Sequence, residues 1–179
     1  VMNYLACLDR NEHWSRIRKE YENANNMTDS SGALRAVVNN PSSQFPEMKK
    51  ELLDHFYDRW SQETLVVEQW FSMQSAAIIP DNLQAIKALM QHDAFDIRNP
   101  NKVRSVIGAF CHNNTVAFHQ LDGSGYKFLT EQVLALNSIN PQIAARLLTP
   151  LTRWKKYNLE RQNLMQNALQ EIQSNKDLS

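Results

Sequence analysis

The best candidate for a catalytic nucleophile is Cys111, which is followed closely by His112, His119 and Asp122. A cysteine activated by a nearby histidine is the arrangement of a cysteine hydrolase. Neighbouring residues on a helix point about 100° apart, however, so Cys111 and His112 face different directions. Cys111 also follows an apolar stripe, which indicates a buried, unreactive thiol. A small cysteine hydrolase using Cys111 therefore stays only as a third hypothesis.

Metal and phosphate sites have no complete motif in this sequence. No histidine begins an HExxH motif, no Cys/His set has zinc-finger spacing, and neither GxxxxGK[ST] nor GxSxG occurs. Residues 122–125 (DGSG) resemble a fragment of a phosphate or calcium loop. They lack the lysine and the series of carboxylates that those loops need. We therefore predict an interhelical turn there, and no metal or cofactor site in this chain.

Two arginines lie at the margins of apolar segments. Arg104 flanks the stripe around Val106, and Arg146 lies within the otherwise apolar residues 143–148. A guanidinium group in such a place is either paired within the fold or directed into a cavity, where it binds a carboxylate or carbonyl. Because buried charges are normally paired, the residues alone favour structural pairing.

Composition and charge exclude several classes of protein. The 179 residues carry 19 basic and 19 acidic side chains, and 42% are hydrophobic, which is typical of one globular domain. A net charge of zero lacks the electrostatic signature of a nucleic-acid partner, so the locally basic residues 146–161 are interpreted as a solvated helix face. No apolar run is long enough to cross a membrane. Two distant cysteines, Cys7 and Cys111, favour a reducing compartment, and we expect the cytoplasm.

Apolar residues recur at spacings of three and four along most of the chain, whereas strict alternation is nearly absent. This periodicity predicts amphipathic helices and an all-α fold. The sequences Asn99-Pro100 and Asn140-Pro141 each offer a capping side chain followed by a proline suited to the first helical position. Further starts are predicted at residues 28–29, 46–47 and 80–81, and residues 123–124 are expected to end one helix and begin the next.

The two Asn-Pro starts lie 140 − 99 = 41 positions apart, close to the period of HEAT and armadillo arrays. Short connections between helices of modest length favour antiparallel neighbours. We therefore predict a superhelical stack of antiparallel helix pairs, a HEAT/armadillo-like solenoid, which leaves a concave face free for a ligand or another domain.

A combination of short segments links the chain to a known family. The segments are NPNKVR (99–104), GAF (108–110), FH (118–119), DGSGY (122–126), NPQIAARL (140–147), WKKY (154–157) and RQNLM (161–165), with NMTD (26–29) in the first half. Together they resemble the C-terminal domain of bacterial-type aminopeptidase N, a gluzincin zinc metallopeptidase family. The likeness runs over essentially the whole chain.

The resemblance implies a superhelical domain that packs on a catalytic zinc domain, closes over its active site and lines the cavity by which short peptides enter. Carried over by position, Arg104, Gln142 and Arg146 line that cavity. Each arginine offers a planar donor fork to a peptide carbonyl or C-terminal carboxylate, and Gln142 offers a donor and an acceptor. The family's HExxH and exopeptidase motifs are absent from this chain. The resemblance therefore implies zinc in a parent enzyme and none in this fragment.

Our first hypothesis takes residues 1–179, which begin at Val1 without a signal peptide, as a single C-terminal domain excised from a longer zinc aminopeptidase. The domain is non-catalytic, its parent removes N-terminal residues from peptides, and its partners are the catalytic domain of the same polypeptide and short peptide substrates. The alternative is an autonomous α-solenoid scaffold whose concave face binds a protein.

Overall fold

A computed structural model describes residues 6, 10–40, 45–79 and 82–175 of the chain. These residues form helices and contain no strand, so the predicted all-α class is confirmed. The helices are α1 (Asn11–Glu22), α2 (Met27–Val38), α3 (Pro46–Trp60), α4 (Thr64–Ser75), α5 (Leu83–Leu89), α6 (Pro100–Val103), α7 (Ala109–Asn113), α8 (Thr115–Phe118), α9 (Ser124–Asn137), α10 (Pro141–Leu147), α11 (Thr149–Thr152) and α12 (Leu159–Ser174).

Capping chemistry sets several of the helix starts. The side chain of Asn99 accepts a hydrogen bond from the amide of Asn101 (2.9 Å), and that of Asn140 accepts one from the amide of Ile143 (3.2 Å). A proline occupies the first turn after each, as predicted. Such caps satisfy amide groups that have no partner inside the helix. The same side-chain cap occurs at Asn26 and Asn158.

Other predicted boundaries differ by a few residues. Helix α2 begins one residue before Thr28, because Asn26 is the capping residue. Gly123 precedes α9 as predicted, with a left-handed φ of 72°, but it does not end the preceding helix. Helix α8 already ends at Phe118, and residues 119–123 form the connection. The start predicted at residues 80–81 lies outside the described residues.

Successive helices pack as neighbours in a stack. Helix α1 contacts α2, α3 contacts α4, and α9 contacts both α10 and α12. The connections within these pairs are short, at residues 23–26, 61–63 and 138–140, which favours antiparallel packing. Helix α4 lies in the middle, where it touches α2 and α3 on one side and α7 on the other. The predicted helical solenoid is therefore confirmed.

One long rod is built from three helical pieces. Helix α6, a π-helical turn (Arg104–Gly108) and α7 follow one another without a break. Four apolar residues on this rod are completely buried: Val103, Val106, Ile107 and Phe110. A π-helical turn is a local widening that is frequent at functional sites. The buried face of the rod fixes the direction in which Arg104, the first residue of the π-helical turn, projects from the core.

Two aromatic clusters fill the core on either side of this rod. Phe110 lies edge-to-face against Phe118 and Phe128, with ring centroids 5.9 and 5.6 Å apart. On the other side, Trp70 and Phe71 of α4 surround the His92 ring at 5.2 and 5.7 Å. Edge-to-face pairs add roughly 0.5–1.5 kcal/mol each beyond the buried area. The rod is therefore held firmly between α4 and α9.

None of the helices in the described ranges has both the length and the apolar character that a bilayer span requires.

Candidate functional site

Three adjoining cavities form a continuous groove along one face of the stack. The α2 cavity, about 440 Å³, is lined by α2 and by Gln69 of α4. The Glu68 cavity, about 380 Å³, shares Gln69 with it and is also lined by Ser72 and Arg104. The arginine cavity, about 400 Å³, shares Ser72 and Arg104 with the Glu68 cavity and extends to α10. Volumes of this size are typical of small-ligand sites.

Side-chain bonds tie the helices that line the groove to each other. Gln69 donates from Nε2 to the hydroxyl of Ser31 on α2 (3.1 Å), and the hydroxyl of Ser72 donates to the carbonyl of Ser105 (3.3 Å). Gly108 faces α10, since a Cβ atom at this position would lie only 3.8 Å from the Leu147 side chain. The groove is thus walled by one helix from each successive layer, which is the concave face expected of a solenoid.

Arg104 and Arg146 meet in the arginine cavity although 42 positions separate them in the chain. Arg104 donates from Nε to the carbonyl of Pro100 (3.3 Å) and also binds the side-chain oxygen of Asn101. Neither arginine forms an ion pair with a carboxylate of the described residues. Arg104 is thus paired within the fold by hydrogen bonds, as the residues alone favour, and it also lines the cavity. Both arginines line the cavity.

Gln142 lies on α10 one helical turn before Arg146 and is exposed. Residues four apart share a helix face, so the two side chains lie on the same side of α10. Gln142 is nevertheless outside the lining of the arginine cavity. The fold therefore brings together two of the three predicted site residues and leaves the third on the adjacent surface.

His112 is a further polar residue of the arginine cavity. Burial, together with the positive charge of Arg153, lowers its pKa below the usual value. The imidazole is therefore neutral at pH 7, with one donor and one acceptor nitrogen. The positive charge of the cavity comes from the two arginines, and its apolar wall comes from Ile143 and Leu147.

Sequence reasoning missed Glu68 and Lys102, which lie beside Arg104. Glu68 lines the Glu68 cavity, and its Oε1 atom is buried without a hydrogen-bond partner. Lys102 is only 7% exposed, and its ammonium nitrogen lies 5.4 Å from the centre of the Phe71 ring. Burial lowers the pKa of Lys102, and the charge of Glu68 opposes that shift. The available signal was a charged residue within an apolar helical stripe, of α4 for Glu68 and of α6 for Lys102, which is the same signal that singled out Arg104.

Cys111 is buried in the core, as the sequence predicts, with 3% of its surface exposed. Burial raises its pKa well above the usual value, which leaves the thiol protonated at neutral pH. Because the thiolate is the nucleophile, this residue cannot serve a hydrolase. The third hypothesis is therefore wrong. Asp122 takes part in the predicted turn instead, where it accepts a hydrogen bond from the amide of Ser124 (2.9 Å).

His119 belongs to a separate polar cluster, which we call the histidine cluster: His119, Tyr126, Tyr157 and Arg161. The ring nitrogens of His119 lie 2.8 Å from the Tyr126 hydroxyl and 2.9 Å from the Tyr157 hydroxyl. Arg161 donates from Nε to the carbonyl of His119 (2.8 Å). Burial, aided by the charge of Arg161, lowers the pKa of His119 to about 4. These mutual bonds connect α9 to α12.

Across the described part of the chain, no group of three or more His, Cys, Asp or Glu side chains is arranged to hold a metal ion. The residues present therefore do not fit the zinc that the resemblance implies for a parent enzyme.

The stacked helices and their groove define an ARM-repeat type of helical domain. A family model described as "Domain of unknown function (DUF3458_C) ARM repeats" matches residues 1–179. The chain belongs to this family.

Bacterial aminopeptidases are among the relatives of this chain. Aminopeptidase N of Escherichia coli (strain K12) is 42% identical over 91% of this chain and 18% of its own length. Aminopeptidase N of Haemophilus influenzae is 39% identical over 99% of the chain and 20% of its own length. The chain thus spans about a fifth of the curated relatives it matches. The resemblance to the C-terminal domain of bacterial-type aminopeptidase N is confirmed.

A solved structure supports the same relationship. The crystal structure of Legionella pneumophila aminopeptidase A in complex with aspartic acid superposes with a TM-score of 0.84 at 32% identity. The superposition covers 93% of this chain and 20% of that one. The fold of the described helices is therefore that of one segment within a much longer aminopeptidase.

Proposed function

We propose that this chain is the non-catalytic C-terminal domain of a zinc-dependent aminopeptidase that removes N-terminal residues from peptides in the cytoplasm. The domain closes over the active site and forms one wall of the cavity that peptides enter. The observation that carries this proposal is the arginine cavity, a space of about 400 Å³ lined by two arginines that form no ion pair with a described carboxylate. The matches to about a fifth of long aminopeptidases favour this proposal over an autonomous scaffold.

The role of Arg104 and Arg146 is to position the peptide. A guanidinium group presents parallel N–H donors that match the two oxygens of a carboxylate. Two such groups at the end of an apolar wall bind the C-terminal carboxylate or a carbonyl of a short peptide. Gln142 adds a donor and an acceptor at the rim. Holding the peptide in this way contributes orientation and performs no bond cleavage, which stays with the catalytic domain.

Zinc belongs to that catalytic domain in this proposal, where it acts as a Lewis acid. The contribution of this chain is a wall that narrows the path to the active site. A narrowed path admits short peptides and excludes folded proteins, because a folded chain is too wide for a cavity of a few hundred Å³.

The first experiment compares this chain with the polypeptide encoded upstream of it and continuous with it. We expect the purified 179-residue chain to bind no stoichiometric zinc by atomic emission and to leave alanyl-p-nitroanilide intact. The long polypeptide is expected to contain an HExxH motif and to hydrolyse that substrate. Zinc-dependent turnover by the short chain alone would contradict the proposal, as would an upstream reading frame without the motif.

The second experiment measures the two arginines in the long enzyme. Arg146→Ala is expected to raise KM for alanyl tripeptides about tenfold and to change KM for alanyl-p-nitroanilide little, because the anilide has no carboxylate. Lys127→Ala, at an exposed position of α9 outside the lining of the cavity, is the control. Equal effects of Arg146→Ala on both substrates would show that the residue acts through the fold and not on the peptide.

A further inference from the structure

Glu68 lines the groove and also carries a buried oxygen that has no hydrogen-bond partner among the described residues. Its Oε1 atom is buried and has no hydrogen-bond partner among the described residues, while its side chain lines a cavity of about 380 Å³. A buried carboxylate oxygen without a donor costs free energy, because its lost hydration is not replaced. Val67 and Phe71 of the same helix are fixed in the core, which holds Glu68 at this margin. A hydrogen-bond donor supplied to the Glu68 carboxylate would therefore lower the free energy of this position.

The charges around Glu68 indicate which kind of ligand could supply the hydrogen-bond donor. Lys102 interacts with Glu68 electrostatically from the buried side, and its ammonium group lies over the Phe71 ring. Arg104 lies on the cavity side, bound to the carbonyl of Pro100 and to Asn101. Glu68 is the only carboxylate that lines the Glu68 cavity or the arginine cavity in the part of the chain that the structure describes.

A ligand that carries both signs of charge suits this arrangement. A purely anionic ligand satisfies the arginines but leaves the Glu68 oxygen without a donor. A purely cationic ligand is repelled by Arg104 and Lys102. A ligand with a carboxylate for the arginines and an ammonium or guanidinium group for Glu68 places each of its own charges beside an opposite one and adds no net charge to the groove.

We propose that the Glu68 cavity is a subsite for the basic side chain of a peptide's C-terminal residue, lysine or arginine. The carboxylate of that same residue lies on Arg104 and Arg146 in the adjoining cavity. The two cavities share Ser72 and Arg104, so groups that diverge from one Cα atom reach both. This inference rests on the proposed role of the arginine cavity, and it adds a preference for peptides that end in a basic residue.

The test is an NMR titration of the 179-residue chain with four tripeptides. These are alanyl-alanyl-lysine, its norleucine analogue, which has the same unbranched stem without the charge, and the C-terminal amide of each. We expect the lysine peptide to bind about tenfold more tightly than the norleucine peptide, as one charged hydrogen bond provides. Glu68→Gln should make the two affinities equal and leave that of the norleucine peptide unchanged.

Control variants separate this site from general charge effects. Glu131→Gln removes an exposed carboxylate from α9, away from both cavities, and should retain the tenfold preference. Glu68→Ala is a second variant, to be used if Glu68→Gln alters the backbone spectrum. The inference would be overturned if the lysine and norleucine peptides with a free C-terminal carboxylate bound the unaltered chain equally well. A lysine preference that survives both Glu68 variants would also overturn it.

The two peptides with a C-terminal amide separately test the proposal that the arginine cavity binds a carboxylate. If both acids bind more tightly than their amides and Arg146→Ala removes that difference, the arginine cavity holds a carboxylate whether or not lysine is preferred. A lysine preference without any acid preference would support Glu68 as an acceptor and contradict the placement of the carboxylate on the arginines. Failure of all four peptides to bind would overturn the inference at Glu68, whereas the proposed function is tested separately by Arg146→Ala in the long enzyme.

Discussion

The groove and the histidine cluster use the same kinds of side chain in opposite ways. In the histidine cluster, Arg161 and both ring nitrogens of His119 find partners inside the protein. In the groove, Arg104 is bound only within its own helical segment, to Pro100 and Asn101. Among the described residues Arg146 has no ion pair with a carboxylate, and a buried oxygen of Glu68 has no hydrogen-bond partner. Polar groups that are satisfied internally stabilise the fold, whereas groups left unsatisfied at a cavity are available to a ligand. The contrast assigns one region to stability and the other to binding.

The largest expected effect is at Gly125, beside the histidine cluster. A Cβ atom there would lie only 2.8 Å from the carbonyl carbon of Phe118, closer than real side chains come to backbone. We expect Gly125→Ala to lower the free energy of unfolding by about 3 kcal/mol, measured by urea denaturation, because backbone has to move.

The matched control for that substitution is Gly32→Ala in α2. No atom lies within 4 Å of the added methyl group, and Gly32 is exposed in the interior of the helix. Alanine favours the helix by about 1 kcal/mol over glycine, so this variant should be more stable than the unaltered chain. If both substitutions shift the urea midpoint equally, the close approach at Gly125 is contradicted.

A smaller loss of stability is expected at Tyr126, which is 1% exposed. Tyr126→Phe leaves a ring nitrogen of His119 without its partner in a half-buried place. The expected loss is about 1–2 kcal/mol in the free energy of unfolding, measured by urea denaturation. Tyr157→Phe removes the bond to the other ring nitrogen at a more exposed site and should cost less. The reverse order of the two variants would contradict this account of the cluster.

The histidine cluster should also make stability depend on pH. The pKa of His119 is about 4 in the folded chain, against an ordinary value of 6.5. Between these values the unfolded chain takes up a proton that the folded chain refuses, so stability is full above pH 6.5 and falls as the pH drops to 4. After allowance for solvent screening, the loss is about 1 kcal/mol.

Thermal unfolding between pH 7 and pH 4 measures this effect. His119→Gln cannot take up the proton, so its melting temperature should fall less across the same window, even though it starts lower. A parallel fall in both proteins would assign the pH dependence to other groups.

The smallest effect on stability is expected in the groove. Arg104→Ala and Arg146→Ala remove exposed side chains that form no ion pair with a described carboxylate, so the free energy of unfolding should change by no more than about 0.5 kcal/mol. Peptide binding, measured as above, should nevertheless lose its preference for a free carboxylate. A large loss of stability in either variant would contradict the assignment of the groove to binding and of the histidine cluster to stability.

The sequence predicted the helices more completely than it predicted the residues of the groove. The apolar spacing of residues such as Val103, Val106 and Phe110 predicted a buried helix face, and these residues are completely buried. The Asn-Pro caps predicted the starts of α6 and α10. Arg104 and Arg146 stood out by their places at the margins of apolar segments, and the resemblance to a known family then predicted that they line a cavity. Glu68 and Lys102 were missed, because a charged residue inside an apolar stripe shows no partner in the sequence.

Helix periodicity and capping act between residues three or four positions apart in the chain. The all-α class and several helix starts could therefore be predicted from the amino-acid sequence. The placement of Arg104 beside Arg146, 42 positions away, depends on the π-helical turn and on the packing of Gly108 against Leu147. Whether a side chain pairs within the fold or faces a cavity depends on contacts between distant helices. Only the tertiary structure decides those contacts.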